Sequence, residues 1–186
     1  MKRRLFYTLF ILMLLGVGIL AELSKPAPRL TFDENGNYTG FHDIPENYTV
    51  ERARQDGCII HDMTQPSDNG LMQNPIWREF VETAAKKRPA SVRIMFIFDH
   101  PDSPSYQDVF YQDGSYCTFS SSAHDMQRRN FPYLLERSGR LPNASRDGSI
   151  AVLCIEQDKS YTEIHMDYLL SAQAFLRQND YALILL

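Results

Sequence analysis

The sequence contains none of the short signatures that announce common catalytic machinery. There is no G-x-S-x-G nucleophile turn, no glycine loop to cradle phosphate, no dinucleotide fingerprint and no H-E-x-x-H pair. The enzyme classes built on those motifs are therefore poor fits. Cysteine is also scarce, present only at Cys58, Cys117 and Cys154. Three thiols cannot knit a disulfide-dense scaffold, and an odd count leaves one over. A bridge between Cys117 and Cys154, both on predicted strands, and three inert thiols packed as small hydrophobes are both open at this point. Cys58 and His61 form a single C-x-x-H, half of a zinc site with no second half nearby.

Positive charge is short beyond the N-terminus. After Arg4 the chain carries 16 Lys and Arg against 23 Asp and Glu, a net charge of −7. Phosphate backbones and anionic bilayer surfaces both need a basic footprint, so no nucleic-acid partner is expected, and no membrane surface bound through charge. An acidic balance of this size serves solubility.

Charge of either sign is missing from Leu5–Ala21, and Lys2, Arg3 and Arg4 precede it. A full span needs about 20 apolar residues, and this run of 17 falls between that and a secretory core. Ala21 could mark a cleavage point, but Ile19 fits the small-residue pattern poorly, which favours an uncleaved anchor. The leading cations place the N-terminus in the cytoplasm and the remainder outside. No Cys follows the run, so lipid attachment is not expected. The reading is a signal-anchor or transmembrane helix over 1–23, a linker over 24–47 and an extracytoplasmic domain over 48–186. The protein is then a single-pass cell-membrane protein, or a secreted one if the leader is cut.

The stretch around which the domain is organised runs from Ser91 to Phe119. Val92, Ile94, Phe96 and Phe98 alternate on one face and Met95 and Ile97 fill the other, predicting a strand covered on both sides. Arg93 lies near its start, where a long stem would return the guanidinium to water. Tyr106–Gln112 and Ser115–Ser121 flank Asp113-Gly114, a hairpin signal with Gly114 free to take positive φ. Upstream, Thr49 caps a short helix over Val50–Gln55 and Cys58–His61 is a brief strand. Asn74 and Pro75 start a helix whose stripe of Ile76, Trp77, Phe80, Val81 and Ala84 should face the sheet. Lys86, Lys87 and Arg88 suit its C-terminal end.

Downstream, Ser122–Gly148 is polar, with room for one or two short helices. Phe131, Tyr133, Leu134 and Leu135 should dock on the core. Ser149–Ile155 is a second inner strand, Tyr161–Arg177 a helix and Tyr181–Leu186 a final strand. The fold class is α+β, one domain of mainly antiparallel sheet with packed helices.

Each histidine has an aspartate nearby, yet neighbours on a strand point to opposite faces and neighbours on a helix do not meet. A histidine–carboxylate site must therefore combine distant residues; His61, Asp99, His100 and His124 are the candidates. Asp99, Asp102 and Asp108 are a second acidic group, without regular calcium-loop spacing. No cofactor or metal is expected.

Gly57-Cys58-Ile59-Ile60-His61, Asn74 leading into Trp77 and Phe80, Val92-Arg93-Ile94, and Tyr106–Gly114 together resemble a small bacterial family of exported proteins, domain of unknown function 4362. The resemblance covers about Gly57 to Phe119. It implies an exported α+β domain and brings no catalytic residues. Its members resemble lipid-anchored surface proteins, and the anchoring Cys is missing here.

The expected function is a non-enzymatic, membrane-tethered domain that binds a protein or small ligand at the bacterial surface. The hairpin and the Asp99–Ser105 loop would be its working face, with Tyr106, Phe110, Tyr111 and Tyr116 as contacts, against the plainer reading of these rings as core and cross-strand pairs. One alternative is a metal-dependent hydrolase using His61, Asp99, His100 and His124. Another is an immunity or inhibitor-type protein whose acidic surface meets a basic partner.

Overall fold

A computed structural model describes residues 27–64, 70–99, 104–142, 144–170 and 180–185. The charge-free run Leu5–Ala21 lies outside them. Among the described residues no helix is long and apolar enough to cross a membrane.

Local signals place the first elements. Helix α1, Val50–Gln55, starts at Thr49, whose hydroxyl oxygen accepts the Arg52 N–H at 3.2 Å, and it ends before Gly57 at φ 83°. Strand β1 is Ile59–Asp62. After a short 3-10 turn, Leu71–Gln73, helix α2 spans Pro75–Ala85 with the Asn74 side chain accepting the Ile76 N–H at 2.9 Å. Trp77, Phe80 and Ala84 are buried along its stripe, each large side chain contributing about 2 to 3 kcal/mol by leaving water.

Strands β2 (Ala90–Ile97), β3 (Ser105–Gln112) and β4 (Ser115–Ser120) follow. Asp113 at φ 55° and Gly114 at φ 77° close the β3–β4 hairpin. The sheet order is β1-β2-β3-β4, antiparallel except for the parallel pair β1–β2. A second sheet, in the order β5-β6-β7, is antiparallel throughout and comprises Tyr133–Gly139, Gly148–Cys154 and Tyr181–Leu185. The class is thus α+β with two sheets, where the sequence predicts one. Backbone bonds between Tyr116 and Phe131, both 2.8 Å, lead from the first sheet into the second.

Four layers result. α2 and the inner face of the second sheet share one core with the first sheet, joining Trp77, Phe80, Val92, Ile94, Val109 and Tyr111 to Phe131, Leu153 and Ile184. The opposite face of the first sheet is covered by α1 and by residues 30–41, through Tyr38, Phe110, Cys117 and Phe119. The outer face of the second sheet packs on helix α3, Tyr161–Ile164, which continues as a π-helix over His165–Leu170. The rest of the expected Tyr161–Arg177 helix falls mainly outside the described residues.

Two expectations need correction. Residues 133–139 form a strand in the segment read as loop with short helices. Leu135 turns inward there and Arg137 donates to the carbonyls of Lys159 and Gln157, both at 2.8 Å, so alternation outweighs the local charge. Within the stretch 24–47, read as a linker, residues 30–41 dock on the sheet, because Tyr38 is buried and stacks on Phe119 at 4.1 Å. Of the two open readings of the cysteines, the structure has the buried free thiols: Cys117 and Cys154 lie on β4 and β6 of separate sheets, and all three thiols are unpaired and buried.

Candidate functional site

The site begins with two charges that the sequence places in apolar strands. Arg93 on β2 and Asp108 on β3 are directly paired across the ladder. Asp108 is fully buried and the Arg93 side chain is 12% exposed. The guanidinium grips the carboxylate with two bonds of 2.6 Å, from Nε to Oδ1 and from Nη2 to Oδ2. This planar fork-on-fork contact fits arginine rather than lysine. Tyr38 Oη donates to Asp108 Oδ2 at 2.6 Å, and Arg93 Nη2 also donates to the Gly40 carbonyl at 2.9 Å. Gly40 has no alternative, since a Cβ there would overlap the Tyr38 hydroxyl. Phe41 lies under the guanidinium at 5.6 Å.

Arg93 therefore does not return to water, as its position suggests it should. It remains inside as the partner of a carboxylate, and Asp108 is unavailable to a cation shared with Asp99 and Asp102 (Asp102 lies outside the described residues). Burial pushes the Asp108 carboxyl up, opposed by Arg93 and Tyr38. Burial also works against the Arg93 charge, but its bonds to Asp108 more than restore it and hold the guanidinium above its ordinary value. Tyr38 is pushed up by burial and then by the Asp108 charge. An arginine does not give up its proton, so the pair is ionised and self-neutralised. The arrangement is a clamp, in which every bond to the Asp108 carboxylate comes from a donor on Arg93 or Tyr38.

Beside this clamp lies a cleft of about 750 Å³. Its origin is a length mismatch. β1 begins at Ile59 opposite Ile94, whereas β2 begins four residues earlier at Ala90. Ser91, Val92 and Arg93 run along the floor, paired with β3 on one side and lying before the start of β1 on the other. Glu79, Phe80 and Thr83 of α2 form one wall, and Ala27, Pro28 and Leu30 the other. Gly57 and Cys58 close one end, while Phe110 and Tyr111 border the floor.

The four candidate contact rings separate. Phe110 is buried against Tyr38 and Phe119, at 5.7 and 6.1 Å. Tyr111 is buried on the other face beside half-buried Tyr116, at 4.7 Å. Tyr106 is half-buried next to Tyr48, at 6.2 Å. The hairpin thus presents no continuous aromatic face, although Phe110 and Tyr111 both reach the cleft.

The histidine–carboxylate candidates lie as follows. His61 is on edge strand β1 against Phe96, at 5.7 Å, and burial lowers its pKa despite Asp62. Asp99 is exposed beyond β2, His124 is exposed in the loop beyond β4, and His100 is outside the described residues. β1 and β4 are opposite edges of the sheet, three strand spacings or about 14 Å apart. Among the described residues no three His, Cys, Asp or Glu side chains gather as metal ligands would.

Sequence reasoning missed the pairing of Arg93 with Asp108. The available signal was a lone cation and a lone anion, each inside an otherwise apolar or aromatic strand of neighbouring elements. Comparison of the chain with family models, curated proteins and solved structures finds no match.

Proposed function

We propose that this is a membrane-tethered domain that works outside the cytoplasm by binding a partner, and that the cleft beside the Arg93–Asp108 clamp receives it. The cleft carries the reading. It is concave and mixed in polarity, floored by strand backbone, and bounded by α2, by residues 27–30 and by Gly57 and Cys58. The tether rests on the uncharged leader Leu5–Ala21 behind three cations. Reaction chemistry has less support, because the most buried ionisable pair is locked by mutual bonds.

Filling the cleft tests the proposal. Thr83 is half-buried on the α2 wall, so Thr83→Trp should occupy the space with the melting temperature retained. Full-length chain is cross-linked in native membranes and its adducts compared with those of the variant. Adducts present in the parent and lost in the folded variant support the reading. Identical adducts, or recovery of the chain from the cytosol, refute it.

A further inference from the structure

Odd-numbered residues of β2 turn their backbone groups toward β1, as the bond from Met63 N–H to Ile97 O at 2.9 Å shows, while even-numbered ones serve β3. Ser91 is odd, and β1 stops three positions short of it. Its N–H and C=O therefore face the cleft without a strand partner. Protein folds ordinarily cover or blunt such an edge, because it is a template for another strand. Here the edge lies in a groove walled by α2 on one side and by residues 27–30 on the other.

The charges at the groove select its occupant. Arg93 is neutralised by Asp108, and Asp56 is engaged by Arg52 at 3.1 Å and by Tyr48 at 3.0 Å. Glu79 is exposed on the α2 wall and forms no ion pair among the described residues. Among the described residues lining the groove the one uncommitted charge is thus negative, and the chain after Arg4 carries a net −7.

The geometry points to β-strand addition: the cleft takes an extended peptide segment that pairs with Ser91 on the edge of β2 and sets a basic side chain against Glu79. Main-chain bonds would give affinity, with the Glu79 contact and the apolar side chains of Phe80 and Leu30 on the two walls giving specificity. This rests on the cleft being the binding site.

The test uses the full chain in detergent and three capped nine-residue peptides of alternating Val and Thr, with Arg, Gln or Glu at the centre. Fluorescence anisotropy should show the Arg peptide binding at least tenfold more tightly than the other two. Glu79→Gln should abolish that preference. Ser91→Pro removes only a cleft-facing N–H, because the β3 ladder uses Ala90 and Val92, and it should weaken the Arg peptide at least tenfold. Amide exchange at Ser91 and Arg93 should slow in the complex, a readout that stands if Ser91→Pro fails to fold. No binding, no preference for Arg, or unchanged exchange at Ser91 each overturns strand addition. Should those results coincide with adducts that Thr83→Trp still removes, the cleft remains a binding site and only its peptide mode is wrong.

Discussion

Asp108→Ala should be among the most damaging single substitutions in the domain. It removes a carboxylate that is fully buried and accepts three bonds of 2.6 Å. Arg93 would be left as a mostly buried cation with only the Gly40 carbonyl as a strong acceptor, and Tyr38 would lose its acceptor. Breaking a buried pair from one side costs about 3 to 5 kcal/mol. For a chain of this length each kcal/mol moves the midpoint by roughly 2 to 4 °C, so the melting temperature should fall by roughly 6 to 20 °C. The pair itself, weighed against hydrocarbon of similar volume, is worth far less. Arg93→Met, Asp108→Leu and Tyr38→Phe combined should therefore recover most of the loss, to within about 1 kcal/mol of the parent. Circular dichroism melts and urea titrations of Asp108→Ala, Arg93→Met and the triple variant measure both quantities. Arg93→Met alone costing less than about 1 kcal/mol would refute the account, since the charge left on Asp108 would then be tolerated.

The three thiols should be silent to Ellman's reagent in the folded chain and all react after denaturation, because burial pushes Cys117 up to about 11 and raises Cys58 and Cys154 as well; a fast-reacting thiol in native protein would contradict this. Gly148→Ala should cost about 1 to 3 kcal/mol by overpacking, because its Cβ would overlap the Tyr161 hydroxyl, and Tyr161→Phe in the same chain should return part of that in a urea titration. The His61 ring is held neutral by burial, so its contribution is intact above its ordinary 6.5 and declines as pH falls through the depressed folded value. Across that window the melting temperature of His61→Gln should drop less than the parent's, and parallel profiles would show that His61 is not responsible.

Elements with their own end signals are legible in this sequence. Thr49, the Asn74-Pro75 pair and Asp113-Gly114 each fix a backbone geometry within a few residues, and those boundaries fall where expected. β5 is harder to read because its alternation is carried by mixed residues. Leu135 is buried and Glu136 accepts Trp77 Nε1–H at 2.6 Å, a partner 59 positions away that no window contains. The docking of residues 30–41 is hidden for the same reason. Prolines and glycines suggest a tether, and only distant partners, Asp108, Phe110 and Phe119, make Tyr38 a core residue. The cleft was the least legible feature, since it arises from two strands starting at different heights.

That mismatch gives the buried pair a role that stability alone does not explain. Apolar residues at both positions would hold the sheet about as well, so the ion pair contributes something hydrocarbon would not supply. Its distinguishing contacts are directional. Arg93 reaches the Gly40 carbonyl and stacks on Phe41, while Asp108 holds the Tyr38 hydroxyl, so three points of one segment are registered against β2 and β3. The same segment continues back to Leu30, Pro28 and Ala27, the wall of the cleft opposite α2. A greasy contact would permit that wall to slide, whereas paired charges allow a single placement. The stabilised triple variant should therefore melt near the parent and still bind the Arg-centred peptide less tightly, with the loss of affinity separated from any loss of fold. Equal affinity in that variant would show that the wall keeps its place without the clamp.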